Sequence, residues 1–501
     1  MNNSSGVLHV RREVRSLGPG DQTLAHYADA VAEMQSRPED DETSWIYQAS
    51  IHGTEVENPL PTWNQCTHNT WFFVSWHRIF VYYFEEIVRS VVKDLHGAEA
   101  AENWALPYWN YCRSGEFATL PEAFREETQQ DGSPNPLFVQ ERDPLINAGG
   151  EIPEEATESK RALATPEFIG KAEFGGLPEE VKQFGKKSSR GVVEGTPHGT
   201  VHNGVGGEEG WMSNVLIAAK DPIFWLHHCN IDRLWVEWIS QGGGRENPTE
   251  GAWLNQSFSF FDAHNNHVPK TCGEVVDTEA LHYKYDAANG IPTGPAPAAE
   301  PPAPAPTPEP EGEAAVPAAA DPPAEEPPIE PKIVGGSKKV TLEGEPAAIP
   351  VEIDDRAREE VREASKKSDP RNLYLNIEDI EGKVNPGVSY GIYVNLPQGA
   401  GEEDKAKHHV GNVSLFGIEL APEPLKDEPA HNVATSVELG SFLRALGGGE
   451  HFDEGEITVT FLPLLPKAPP GKEDEYQQLL DKRAAESPPV HIGRVSIGID
   501  A

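Results

Sequence analysis

The chain has 501 residues, a formal net charge of −40 and four cysteines. That length suits two domains, the charge disfavours nucleic acid and anionic membrane surfaces as partners, and cysteines this few and scattered exclude a disulfide scaffold. No run of about 20 apolar residues suggests a membrane span.

The N-terminal segment MNNSSGVLHVRREVRSLGPGD has no apolar stretch of the secretory kind. The expected location is therefore cytoplasmic, or external by a non-conventional or partner-dependent route. Next comes CTHNTWFFVSWHRIF, with His68 and His77 nine residues apart. On a straight helix such residues face opposite sides, so they can share an ion only if His68 precedes the helix, in the turn made by Asn64, Gln65, Cys66 and Thr67. From Thr70 to about Leu95 a broad apolar and aromatic face, with charges gathering toward the end, predicts a helix. In PHGTVHNG, His198 and His202 are four apart and would project from one helix face toward one ion. In DPIFWLHHCNIDRLW, Asp221 is a good N-cap and Pro222 a good first helical residue. A helix to about Ser240 follows, carrying one histidine inward with Asp232 one turn on.

Six histidines thus fall into two sets of three: His52, His68 and His77, then His198, His202 and one of the adjacent pair. Neutral imidazoles without ligand cysteines or a ring of carboxylates point to a dinuclear all-nitrogen copper site, built between facing helices. His96, His264 and His267 read as ordinary surface or core residues. Trp71, Phe72, Phe73, Trp76, Phe224, Trp225 and Trp235 read as a dry packing shell that sets dielectric and access at the metals.

Residues 291–331 contain 15 prolines and 8 acidic residues without a lysine or arginine, which predicts an extended, solvated linker. Beyond it the period changes. Leu373, Leu375 and Ile377 alternate, as do Val388, Tyr390, Ile392 and Val394, and the runs 413–418, 457–461 and 491–497 continue the pattern. Short strands with turn signals between them predict an antiparallel sandwich or barrel.

These motifs resemble those of the tyrosinase, catechol oxidase and molluscan haemocyanin superfamily of type 3 copper proteins. WHR at 76–78 matches the first copper motif of that family, HGTVHN at 198–203 opens the second, and DPIFWLHHCNIDRLW at 221–235 closes it. LPYWNY at 106–111 and the tyrosine-containing LHYKYD at 281–286 fit as well. The resemblance implies a helical-bundle catalytic domain over 1–286, a linker over 287–332 and a β-rich, sandwich-like shielding domain over 333–501 like that of plant polyphenol oxidases and haemocyanin units. It assigns two copper ions, one to His52, His68 and His77 and one to His198, His202 and His228, the last because the family ligand lies four residues before the aspartate. Cys66, two before His68, stands where relatives carry a thioether to that ring.

The resemblance also implies that Glu194 and Asn203 hold a water that accepts the phenolic proton, and that Gly199 and Val215 line the substrate pocket. The expected activity is hydroxylation of monophenols to o-diphenols and oxidation of o-diphenols to o-quinones with O2, on small phenolic substrates. Catechol or o-aminophenol oxidation alone, and haemocyanin-like O2 carriage, are the alternatives; one unit without tandem repeats speaks against the carrier. A copper chaperone is a candidate partner, and oligomeric state is not legible. The resemblance further implies latency, with an apolar side chain of the second domain over the pocket; Phe416 and Phe452 are the candidates.

Overall fold

A computed structural model describes residues 7–178, 190–286, 332–337, 339–364, 372–418, 433–445 and 455–499. Of the linker expected over 287–332 only Lys332 is among them, and Phe452 lies outside.

The first half is helical around the site. The chief helices are α1 (Thr23–Ser36), α2 (Trp45–His52), α3 (Phe73–His96) and a long helix, Pro222–Ser240. α3 begins three residues later than the apolar run suggests, because Thr70 turns the chain: its hydroxyl accepts from the Phe72 amide at 3.2 Å. Asn69 just before it takes a left-handed φ of 55°. His68 is thereby kept off the helix, as its spacing from His77 requires.

The long helix starts as its sequence predicts. Asp221 accepts from the Ile223 amide at 3.0 Å and Pro222 follows. Arg142 grips the Asp221 carboxylate at 2.7 Å, with both side chains buried. This helix packs on α3 through Phe84 and Trp225, stacked with centroids 3.4 Å apart. Arg78 of α3 pairs with Asp232 of the long helix. Strand β1 (His9–Arg11) runs parallel to β4 (Tyr283–Tyr285), and Arg11, Tyr283 and Tyr285 all converge on Asp232. Through this buried node LHYKYD closes the helical half. A small antiparallel hairpin, β2 (Ser257–Phe261) with β3 (His267–Thr271), lies beside it.

The second half carries β5 (Lys332–Gly336), β6 (Val340–Leu342), β7 (Ala347–Ile353), β8 (Leu373–Glu381), β9 (Ser389–Val394), β10 (His409–Val413), β11 (Val433–Glu438), β12 (Glu456–Leu464) and β13 (Val490–Ile499). Among the described residues these nine form one sheet, in the order β10-β9-β12-β7-β5-β13-β8-β11 with β6 also on β13, and the pairings are antiparallel. The end strands nearly meet: a Cβ built on Gly411 of β10 would stand 2.8 Å from Val437 of β11. The sandwich-like expectation thus resolves into a single sheet curled into an almost closed barrel. Helices such as Arg358–Ala364 and Glu473–Glu486 were not anticipated from the strand pattern.

Two apolar cores result. One is built from residues between Val14 and Tyr285, entered from outside by Phe416 and Leu464 alone among the described residues; the other runs from Val334 to Ile499. The strand expected over 413–418 ends at Val413, because the next residues leave the sheet: Leu415 and Ile418 return to the barrel core while Phe416 enters the helical one.

The halves also dock through polar contacts. Arg483 bonds Asp143 at 2.7 Å and the Gly387 carbonyl at 2.8 Å, and Asn412 donates to the Glu155 carbonyl at 2.6 Å. Gly387, at φ +61°, lies so close to Gly207 that a Cβ would come within 1.9 Å of it, so only glycine fits there.

Candidate metal centre

Each imidazole of the two sets is placed by local structure. His52 ends α2, His68 sits in the turn before α3, His77 is in the second turn of α3, and His228 is on the long helix. His198 lies in a π-helical turn, Glu194–Gly199, which continues into the helix Thr200–Gly206 that bears His202. Thr196 breaks the helical φ/ψ there, so the two rings meet at a 4.6 Å centroid distance by a kinked route rather than on one regular helix.

The rings assemble as two adjoining groups. In the first, His52, His68 and His77 have centroids 5.4–5.6 Å apart. In the second, His198, His202 and His228 are 4.6–5.5 Å apart. His77 and His228 stack across the boundary at 4.3 Å and 8°. In each group the candidate ligand atoms lie within 4.8 Å of one another.

Hydrogen bonding decides which nitrogen is left for a metal. Backbone carbonyls take Nδ1 of four rings: Val215 for His52 (3.0 Å), Phe73 for His77 (2.8 Å), Glu194 for His198 (3.1 Å) and Met212 for His202 (2.7 Å). Such bonds fix the tautomer and leave Nε2 as the lone pair. The Nε2 atoms of His52 and His198 are buried without a protein partner. Nε2 of His202 and His228 are 3.3 Å apart, the separation of about 3.3 Å that two nitrogens show when each lies about 2 Å from one tetrahedral ion. Burial lowers the pKa of all six rings, to about 3 for His52 and His202, so they are neutral at physiological pH. A buried pair of all-imidazole sets is what copper binds, and the residues present fit two copper ions.

Two further side chains join these groups. His227, beside His228, has its Nδ1 3.0 Å from the Tyr111 hydroxyl and belongs with the second set by distance. Its visible signal was the HH dipeptide itself. Cys66 lies with the first set, Sγ 3.2 Å from Nδ1 and 3.8 Å from Nε2 of His68. It thus faces the ring edge between those nitrogens. Burial pushes its thiol well above the usual range.

Around the rings the other expected residues take definite places. Glu194 accepts from the Asn69 amide at 2.7 Å through Oε1, while Oε2 is buried without a partner; burial, opposed by Arg190 and that hydrogen bond, raises its pKa to about 7. A Cβ on Gly199 would stand 2.3 Å from Ser414 Oγ of the second half. Val215 is buried, and it is its carbonyl that serves the site. Asn203 is spoken for by the second half: Asn385 donates to its Oδ1 at 2.9 Å and its Nδ2 donates to Ser389 at 3.1 Å. Nothing in the sequence near Asn385 or Ser389 marks them, because they reach the site only through domain docking.

Phe416 covers both groups. Its ring is 4.1 Å from that of His202 at 18°, and edge-on to His198 at 5.5 Å and His68 at 5.7 Å. Arg190 anchors the loop that bears it, donating to the carbonyls of Ser414 (3.2 Å) and Phe416 (3.3 Å).

Comparison with known proteins accords with this geometry. The profile for the common central domain of tyrosinase matches residues 42–241, that for the polyphenol oxidase middle domain matches 247–292, and a domain of unknown function matches 330–498. A tyrosinase of Hahella sp. (strain CCB-MM4) is 30% identical over 479 residues, covering 88% of this chain and 93% of that protein. The chain belongs to the tyrosinase family. The chloroplastic polyphenol oxidase of Malus domestica is 25% identical over 470 residues, 87% of this chain and 72% of that one. In fold, the tyrosinase-family chain is similar to a latent aurone synthase (TM-score 0.64, 21% identity, 100% of this chain and 90% of that one) and to latent apple tyrosinase (TM-score 0.61, 20% identity, 99% and 98%). Like its family, it is a copper oxidoreductase that acts on phenols.

Proposed function

We propose that this chain is a polyphenol oxidase that hydroxylates monophenols to o-diphenols and oxidises o-diphenols to o-quinones, and that it is latent while its sheet domain is docked. The observation that carries the proposal is the seat of Phe416: an aromatic ring from the second half occupies the space over His202, between His198 and His68, where a phenol ring would have to lie.

The two imidazole sets would hold the copper ions, which would supply the two-electron oxidation with O2. The protein does the rest. His202 offers an apolar ring face on which an aromatic substrate stacks. Glu194, with one oxygen unpartnered and a pKa near neutrality, is suited to take the phenolic proton through a water. Asn203, once Asn385 and Ser389 withdraw, has a free amide with which to hold that water. Trp76, Phe80 and Phe224 pack against the His52 ring and keep the site dry. Gly199 leaves the room that a side chain would fill.

The test is to assay copper-loaded protein on tyrosine and on a catechol, intact and after cleavage within 287–331 with separation of the halves. Turnover of both substrates only by the separated first half supports the proposal. Equal rates before and after would end the latency, and catechol turnover without tyrosine turnover would restrict the enzyme to diphenols.

A further inference from the structure

Arg190 lies beside Asn69 and Glu194 with a guanidinium that the copper chemistry does not use. Its Nε donates to Asn69 Oδ1 at 3.0 Å, and its two terminal nitrogens donate to the carbonyls of Ser414 and Phe416. The nearest carboxylate, Glu194, stands 3.9 Å from Nε, with only 7% of the Arg190 side chain exposed. Glu194 therefore does not occupy the fork.

When the sheet domain leaves, both fork nitrogens lose their acceptors together. A guanidinium with its two terminal donors vacated complements a carboxylate, which takes both bonds in one plane. Phe416 shows how far away that carboxylate must be. In the docked state one chemical unit spans the pocket: an aromatic ring over His202 and, two carbons from the ring, a carbonyl oxygen on Arg190. A phenol carrying a carboxylate on a two-carbon arm has the same connectivity, ring to Cβ to Cα to carboxyl carbon, and a charge that the peptide carbonyl lacks.

We propose that Arg190 is a specificity-determining residue, which in the released enzyme binds the carboxylate of phenols bearing a two-carbon acid arm, tyrosine and hydroxyphenylpropionates among them. This rests on the polyphenol oxidase reading for its turnover arm alone. The geometry also explains why the plug holds: it borrows the grip that the site keeps for such a substrate.

The experiment uses copper-loaded protein cut within 287–331, with the first half isolated; its core is its own apart from Phe416 and Leu464. Dihydrocaffeate and 4-ethylcatechol differ in the acid arm. The parent should prefer the acid, and Arg190→Gln should lose about tenfold of that preference, in KM rather than kcat, with 4-ethylcatechol changed less than threefold. Arg190→Lys, which keeps a charge but not the fork, should recover part of it. Calorimetry with 3-phenylpropionate, which has no hydroxyl to oxidise, gives a readout free of turnover: binding should weaken about tenfold in Arg190→Gln, while 3-phenylpropanol binds parent and variant alike. Equal handling of acid and neutral ligand by the parent overturns the proposal, since the vacated donors then take only water. Equal loss on both in the variant also overturns it and makes Arg190 a support for Asn69 and Glu194. Failure of the parent to turn over either catechol would defeat the proposed function, and the calorimetric arm would still decide the role of Arg190.

Discussion

The ring of Phe416 lies nearly parallel to the imidazole of His202, 4.1 Å between centroids, although 214 positions separate the two residues in sequence and they come from different halves of the chain. The contact sets an aromatic side chain on a ring whose far nitrogen, Nδ1, is locked to the Met212 carbonyl. Replacing Phe416 by alanine in the intact chain should raise catechol turnover by tenfold or more at equal copper content, measured as initial rates. If the variant stays as slow as the parent, obstruction lies in the polar clamp of Asn385 and Ser389 on Asn203.

Elemental analysis should find two coppers per chain. His228→Ala should lower the second site's occupancy and leave about one copper bound, because its Nε2 converges with that of His202. His227→Ala should keep two, since it is Nε2 of His228 that converges with that of His202. The reverse pattern would move the ligand to His227.

Cys66 and His68 are placed for a covalent bond. The Sγ contacts to both ring nitrogens predict a thioether at the carbon between them once copper and O2 have acted. Peptide mapping of copper-matured protein should show the peptide that bears both Cys66 and His68 lighter by two hydrogens. Copper-free protein should show the unmodified mass, and a free thiol in fully active enzyme would refute the bond.

Glu194→Gln should separate the two reactions. If the carboxylate takes the phenolic proton, monophenol hydroxylation by the released enzyme falls about 10²-fold while o-diphenol oxidation is largely spared. Loss of both to the same degree would show that the change disturbed the turn that carries His198.

Asp232 is the stability prediction. Burial alone would raise its pKa, but Arg78 and Arg11, with the hydroxyls of Tyr285 and Tyr283, hold the carboxyl below its ordinary range. A depressed native pKa means that the stabilisation is present above the unfolded value of about 3.9 and is lost as pH falls through the native one. Asp232→Asn should cost about 3–5 kcal/mol at neutral pH by leaving two buried guanidinium groups underpaired. In urea titrations it should also flatten the drop in stability that the parent shows below about pH 4. An unchanged urea midpoint would mean that the node is dispensable.

The sequence by itself determined what is local or periodic. The cap at Asp221, the turn that holds His68 off α3, and the alternation of β8 and β9 all follow from short-range sterics and from the two side-chain periods. The six imidazoles were legible because copper sites need chemically distinctive residues embedded in long motifs. What only the tertiary structure decided depends on chain segments far apart. β9 is buried on both faces, so its alternation could not show that Ser389 would meet Asn203. The run 413–418 has the composition of a strand, yet Phe416 leaves the sheet and packs among the imidazoles of the helical half. Arg190 had no signal at all: a lone arginine acquires its meaning from two carbonyls more than 200 residues away, and docking energy between domains leaves no mark on local sequence.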